Sequence, residues 1–355
     1  MKKFTALLLS LMLLAGLVPC AGCAEAATVK VVTTIFPIYD WVRQIAGDSG
    51  RVAPVMLLDN GVDLHSYQPS AQDILAISGA NLFVYVGGES DGWVEGVLES
   101  AMNPSLISVS LTEAMGDDLK EEEIVEGMEH EHDHDHDHDH EHEEDEDHDH
   151  EDEGHDHGED HDHDEDHDHD HDHEEEEEYD EHVWLSLRNA AKLVNAIAEA
   201  LAKADPDGAD AYKANAAAYT GKLLALDAEY TEAVNAAAYK TLLFGDRFPF
   251  RYMTDDYGLS YYAAFTGCSA ESEASFETIA FLAGKVNELN LPAVMTIEGA
   301  NHRIAETVVA TASDPARKIL TLNSMQSVTA EDVKNGADYL SMMEENLKVL
   351  KEALN

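Results

Sequence analysis

Between Glu129 and His182 lie eighteen of the twenty histidines of this chain, nearly all alternating with aspartate or glutamate, as in His130, His132, His134, His136, His138 and His140. Nothing in that stretch is apolar enough to offset the entropy of ordering it, so any core must be built from the sequence on either side. Imidazole nitrogen and carboxylate oxygen are the ligands that borderline divalent metals prefer, zinc above all. The stretch is therefore read as a solvated, flexible loop that collects metal ions. An acidic spacer is the alternative, but a spacer needs only charge, and aspartate alone would serve.

The chain has 355 residues and a net charge of −52. From Asp117 to Glu181 there are 39 acidic residues and one basic, Lys120, so this segment carries −38 and leaves −14 for the rest. An acidic remainder argues against nucleic acid as a partner and raises the local concentration of cations. The chain opens with Met1-Lys2-Lys3 and an apolar run from Ala6 to Val18, too short to span a bilayer as a helix. Ala21-Gly22 directly before Cys23 is similar to a lipoprotein cleavage site, giving a signal peptide over 1–22 and a lipid on Cys23. That implies an extracytoplasmic protein anchored to the cell membrane.

Beyond a tether at 23–28, strands alternate with helices. Strands are expected at Thr28–Phe36, Arg51–Leu58, Leu82–Val86 and Ser105–Val109, and again at Thr241–Phe244, Ser260–Phe265, Ala293–Ile297 and Lys318–Leu322. That rhythm implies an α/β fold of two lobes, each a mainly parallel sheet with flanking helices. The first lobe spans 29–205 and includes the acidic loop at 117–181; the second spans 241–355. Between them, over 206–240, Tyr212, Asn215, Tyr219, Leu223, Leu226 and Tyr230 recur at three- and four-residue steps, one long rigid helix joining the lobes. A last helix is expected from Ala330 to Leu354. Such an arrangement leaves a cleft where loops depart from the carboxyl ends of strands.

Two polar segments point at that cleft. His65 lies in His65-Ser66-Tyr67-Gln68-Pro69-Ser70, just after a strand, and His182 in Glu181-His182-Val183-Trp184-Leu185-Ser186, where order resumes after the loop. Taken singly, either could be a surface or capping histidine. Together with the intervening acidic histidine-rich loop, they resemble the ligand motifs of the metal-binding lipoproteins of bacterial ABC importers for zinc and manganese. The resemblance runs over essentially the whole mature chain and is nearest to the zinc-uptake members. It implies capture of an ion between the lobes, delivery to a membrane permease, and no catalysis. Zinc is the expected ion, with manganese and nickel as alternatives, and a monomer the expected state.

The resemblance also brings departures. At the family's third ligand position stands Arg247, in Arg247-Phe248-Pro249-Phe250-Arg251-Tyr252. A guanidinium has no lone pair to offer, though it can pair with a cleft carboxylate. Arg247→His is expected to restore a nitrogen donor there, and Asp246 is a neighbouring substitute. The fourth position falls on Gln326, a weak ligand for zinc. Glu298, at the end of an expected strand, is a further candidate. Cys268 is read as a soft ligand or a small buried residue, with burial preferred. No His-Glu-x-x-His run or nucleophile elbow supports a zinc hydrolase; a metal buffer acting through the loop is the other rival.

Overall fold

The computed structural model describes residues 28–129, 178–269, 273–299 and 301–355. Strands β1 (Val29–Thr33), β2 (Val52–Met56), β3 (Leu82–Tyr85) and β4 (Ile107–Ser110) form a parallel sheet in the order β2-β1-β3-β4. Strands β5 (Thr241–Phe248), β6 (Ser260–Thr266), β7 (Ala293–Ile297) and β8 (Lys318–Leu322) form a second parallel sheet, β6-β5-β7-β8. The two orders are the same pattern. In each, the first strand lies inside and the chain then crosses to its other side, so each sheet has a switch point with an open crevice at the strand carboxyl ends. Val31, Val32, Leu82, Phe83 and Val84 are buried in the central strands of the first sheet, as a sheet covered on both faces requires.

Helices α1 (Phe36–Ala46), α2 (Ala71–Ser78), α3 (Val94–Glu99), α4 (Leu111–Met115) and α5 (Leu187–Ala204) complete the first lobe. Ser70 caps α2 and Asp73 caps it back, a reciprocal box that fixes where the segment after His65 turns into helix. The joining helix α6 (Ala209–Ala236) has 28 residues, about 42 Å at roughly 1.5 Å each. Its buried stripe of Tyr212, Ala216, Tyr219, Leu223, Leu226, Tyr230 and Val234 packs along α5 and α1. Farther along, it meets α7 (Arg251–Tyr257) and α11 (Tyr339–Ala353) of the second lobe, where the Tyr230 hydroxyl donates to the Met343 carbonyl at 2.6 Å. One apolar cluster consequently runs from β1 through α5 and α6 into the second sheet. A smaller cluster lies under α8 (Phe276–Glu288) and α9 (Arg303–Thr311). A core shared in this way resists wide rotation of one lobe against the other. No helix among the described residues is long and apolar enough to cross a membrane.

Three local readings differ from the sequence expectation. The last helix is two, α10 (Ala330–Lys334) and α11, because Gly336 takes φ 99° and Asp338 opens a new helix by accepting the Ser341 N–H at 2.9 Å. The strand expected at Thr241–Phe244 runs on to Phe248 as β5, and a short helix, α7, follows it. The acidic segment is also ordered farther than its composition implies: over 117–129, Glu121 bridges to Tyr179 and Glu129 to Phe265, and Met128 is buried. The loop histidines His130, His132, His134, His136, His138 and His140, and Cys23, lie outside the described residues.

Candidate metal centre

His65 stands in a single 3-10 turn, Leu64–Ser66, just beyond the carboxyl end of β2. Leu64 is buried and anchors the turn, while the Asp63 carboxylate accepts the His65 N–H at 3.1 Å. The His65 ring therefore projects from a fixed base into the crevice. Its Nδ1 lies 2.7 Å from Ser90 Oγ, on the loop after β3. Ser90 N–H in turn donates to Glu181 Oε1 at 2.9 Å. Gly88, at φ 78°, lets that loop approach, since a Cβ there would come within 2.3 Å of Glu181 Oε1.

His182 enters from the other side of the acidic loop. Asp180, Glu181 and His182 are exposed to 2%, 2% and 0%, three consecutive titratable residues inside the protein, which calls for partners or a bound charge. Asp180 supplies one partner: its Oδ1 accepts the His182 N–H at 2.8 Å and lies 3.0 Å from Nδ1. The backbone of Asp180 is itself held, its N–H donating to the Lys120 carbonyl and its carbonyl accepting the Tyr252 hydroxyl. Downstream, Trp184 ties this segment to the second lobe, its Nε1 donating to the Ser324 carbonyl at 2.8 Å.

The consequence is that His65 Nε2 and His182 Nε2 face each other at 3.2 Å. With Nδ1–H of His182 directed at a carboxylate that can only accept, the lone pair of its Nε2 is left pointing inward. Two imidazole nitrogens binding one tetrahedral zinc at roughly 2.0–2.1 Å would sit about 3.3 Å apart. Burial, with the nearby charge of His182, pushes His65 down to about 3, so its ring is neutral and able to coordinate at neutral pH. Burial also raises Glu122 and Glu181 above the ordinary carboxylate range. A cavity of about 240 Å³ opens beside the pair, lined by His65, Ser90, Glu122, Glu181 and Cys268 among others.

A third donor of a different kind is present. Cys268 Sγ lies with one ring nitrogen of each histidine in a group whose atoms are all within 4.8 Å of one another. It follows Gly267 at the end of β6, in the second lobe. Sequence alone favours burial for this cysteine; the signal for a ligand is its place just after a strand, the same placement that marks His65. Asp180 carries no sequence signal beyond standing two residues from His182.

The remaining candidates are placed differently. Arg247 pairs with Asp63, and its Nη1 donates to the Ser269 carbonyl at 3.4 Å, so the guanidinium braces both the His65 turn and the Cys268 turn. Burial opposes ionisation of Asp63, but the charge and hydrogen bond of Arg247 hold it below the usual carboxylate range. Asp246 turns away, accepting from Ile297 N–H at 3.2 Å and from Arg247 N–H. Glu298 accepts from Ser324 N–H at 2.6 Å, Ser324 Oγ–H at 2.8 Å and Gln326 N–H at 3.1 Å, and so is engaged in shaping the loop after β8. It does not join the histidine and cysteine group. Gln326 is buried and donates from Nε2 to Ser324 Oγ, while its Oε1 has no hydrogen-bond partner among the described residues.

Two parallel α/β lobes on a shared helical spine, with inward-facing imidazoles between them, define a two-lobed cleft architecture. The chain belongs to the family described as zinc-uptake complex component A, periplasmic (ZnuA), which it matches over residues 31–353. It is 33% identical over 353 residues to the zinc-binding lipoprotein AdcA of Streptococcus pneumoniae, covering 99% of this chain but 61% of that relative's length. It is 29% identical over 324 residues to the high-affinity zinc uptake system protein ZnuA of Bacillus subtilis, covering 91% of this chain and 87% of that protein. Among solved structures it superposes on the Zn(II)-bound ZnuA-like domain of Streptococcus pneumoniae AdcA with a TM-score of 0.65 and 28% identity, covering 92% of this chain and 99% of that domain.

Proposed function

We propose that this protein captures Zn2+ between its lobes at His65 and His182 and releases it to the permease of an ABC importer, from outside the cell membrane and tethered by a lipid on Cys23. Binding and release turn over no substrate. The observation that carries this reading is the 3.2 Å separation of the two Nε2 atoms, with His182 Nδ1 directed to Asp180 and His65 Nδ1 to Ser90. Each ring is oriented from behind, and the vertex between them suits one tetrahedral ion. Nitrogen donors favour zinc over manganese, which prefers carboxylate and water. The names of the zinc-binding relatives point the same way.

In this reading the histidine-rich loop is a weaker outer collector that raises the local ion concentration near the cleft. Its imidazoles must be neutral to bind, so that contribution falls below about pH 6.5. The shared core and the spine α6 confine capture to loop shifts around His65 and His182. Competition with a zinc chelator tests the proposal. His65→Ala and His182→Ala should each abolish the tightest zinc equivalent while leaving the loop equivalents; parental binding in both variants would overturn it.

A further inference from the structure

The ligand set of two histidines is incomplete for a structural or cargo zinc, which takes four donors. Arg247 occupies the position where the resemblance to the importer lipoproteins calls for another donor and cannot coordinate. We propose that the Cys268 thiolate is the third protein ligand, making the cleft a two-nitrogen, one-sulfur zinc site; this rests on capture of the ion at His65 and His182.

Four observations converge on it. Cys268 Sγ falls within 4.8 Å of a ring nitrogen of each histidine. Nitrogen and sulfur on one tetrahedral zinc, at roughly 2.0–2.1 and 2.3 Å, lie about 3.6 Å apart, so a modest shift of one turn would bring the three donors to one ion. The chain before the cysteine hugs the His182 ring: a Cβ at Gly267 would meet the Phe248 carbonyl at 2.8 Å and His182 Cε1 at 3.1 Å. Any other residue at 267 would displace the turn, so the glycine permits the thiol's approach. Cys268 is also outside both apolar clusters and only partly buried, facing the 240 Å³ cavity instead of packing as a small hydrophobe.

The fourth observation concerns charge. Glu181 is 2% exposed, yet its Oε2 has no hydrogen-bond partner among the described residues and lies 3.9 Å from His65 Nδ1. Glu122 accepts the Cys268 N–H at 3.2 Å and lines the same cavity. The described lining of that cavity holds buried Glu122 and Glu181 and no lysine or arginine, a surround whose missing positive charge a divalent ion would supply. The fourth coordination position then opens toward Glu122 or a water in the cavity. Arg247, bonded to Asp63 on one turn and to the Ser269 carbonyl on the other, positions the His65 and Cys268 segments relative to each other. On binding, the Sγ–H proton passes to solvent as the Zn–S bond forms, with no change of oxidation state. A thiolate narrows the cargo to ions that tolerate sulfur, Zn2+ above Mn2+.

The full chain loaded with one equivalent of Co2+ or Zn2+ tests this. With Co2+, a near-ultraviolet thiolate-to-metal charge-transfer band is expected, and it should vanish in Cys268→Ser. X-ray absorption of the one-equivalent Zn2+ form should show a sulfur shell at about 2.3 Å, a readout that needs no variant. Cys268→Ser should weaken zinc by more than the ~10–100-fold typical of outer-shell changes. Tight one-equivalent zinc binding that needs His65 and His182, with no sulfur shell and no charge-transfer band, overturns the thiolate while the capture reading stands. Loss of the tight equivalent from the parent itself would instead remove the capture reading.

Discussion

Asp180→Asn isolates the orienting role of a residue that touches no ion. Asparagine keeps Oδ1 in nearly the same place, so the 2.8 Å bond from the His182 N–H and the 3.0 Å contact to Nδ1 can both persist. What disappears is the negative charge behind the imidazole, which makes Nε2 a better donor. Removing such a partner costs about 10–100-fold in metal affinity, or roughly 1.4–2.7 kcal/mol. The backbone bonds of Asp180 to Lys120 and Tyr252 are untouched, so the apo fold should unfold at the same temperature within a degree or two. Chelator competition for the tightest zinc equivalent, with apo thermal unfolding as control, gives the answer. An affinity equal to the parent's would refute the claim that Asp180 orients a ligand. A loss as large as that of His182→Ala would make Asp180 itself a ligand.

Arg247→Ala should lower stability by about 1.5–3 kcal/mol, since it strips a charged partner from partly buried Asp63. Asp63 is depressed in the folded state, so that contribution is fully present above its unfolded value near pH 4 and is lost as pH falls through the folded one; denaturant titrations of parent and variant should begin to converge only as pH drops below about 4. Arg247→His, expected from sequence to tighten zinc binding, should instead weaken it by releasing the brace between the Asp63 and Ser269 turns, which chelator competition measures. Deleting 130–177 and bridging with a flexible linker should leave cooperative unfolding unchanged by calorimetry, whereas deleting Asp117–Tyr179 should lower the melting temperature, because Met128 and the Glu121–Tyr179 and Glu129–Phe265 bridges go with it.

The sheets were legible because their strands are β-branched runs bounded by turn residues, and parallel burial leaves little else for Val29–Thr33 or Ala293–Ile297 to be. His65 and His182 could be read because each sits in a polar motif at the edge of an apolar segment. Arg247 announced its own unsuitability by its chemistry. Cys268 and Asp180 were not legible to the same degree, since their roles arise from tertiary approach: β6 ends against the His182 ring only because Gly267 lacks a Cβ. Glu298 illustrates the reverse. Its position at a strand end suggests a ligand, yet three hydrogen bonds from the loop at Ser324 and Gln326 claim its oxygens. Nor could composition set the inner limit of the acidic loop, because 117–129 is ordered by a few apolar contacts within a charged sequence.

The most direct test is anomalous scattering at the zinc edge from crystals carrying one equivalent of Zn2+. The account predicts a single strong peak in the interlobe cleft, about 2.0–2.1 Å from both His65 Nε2 and His182 Nε2. Peaks found only elsewhere, with the two imidazoles still facing each other across an empty vertex, would contradict it.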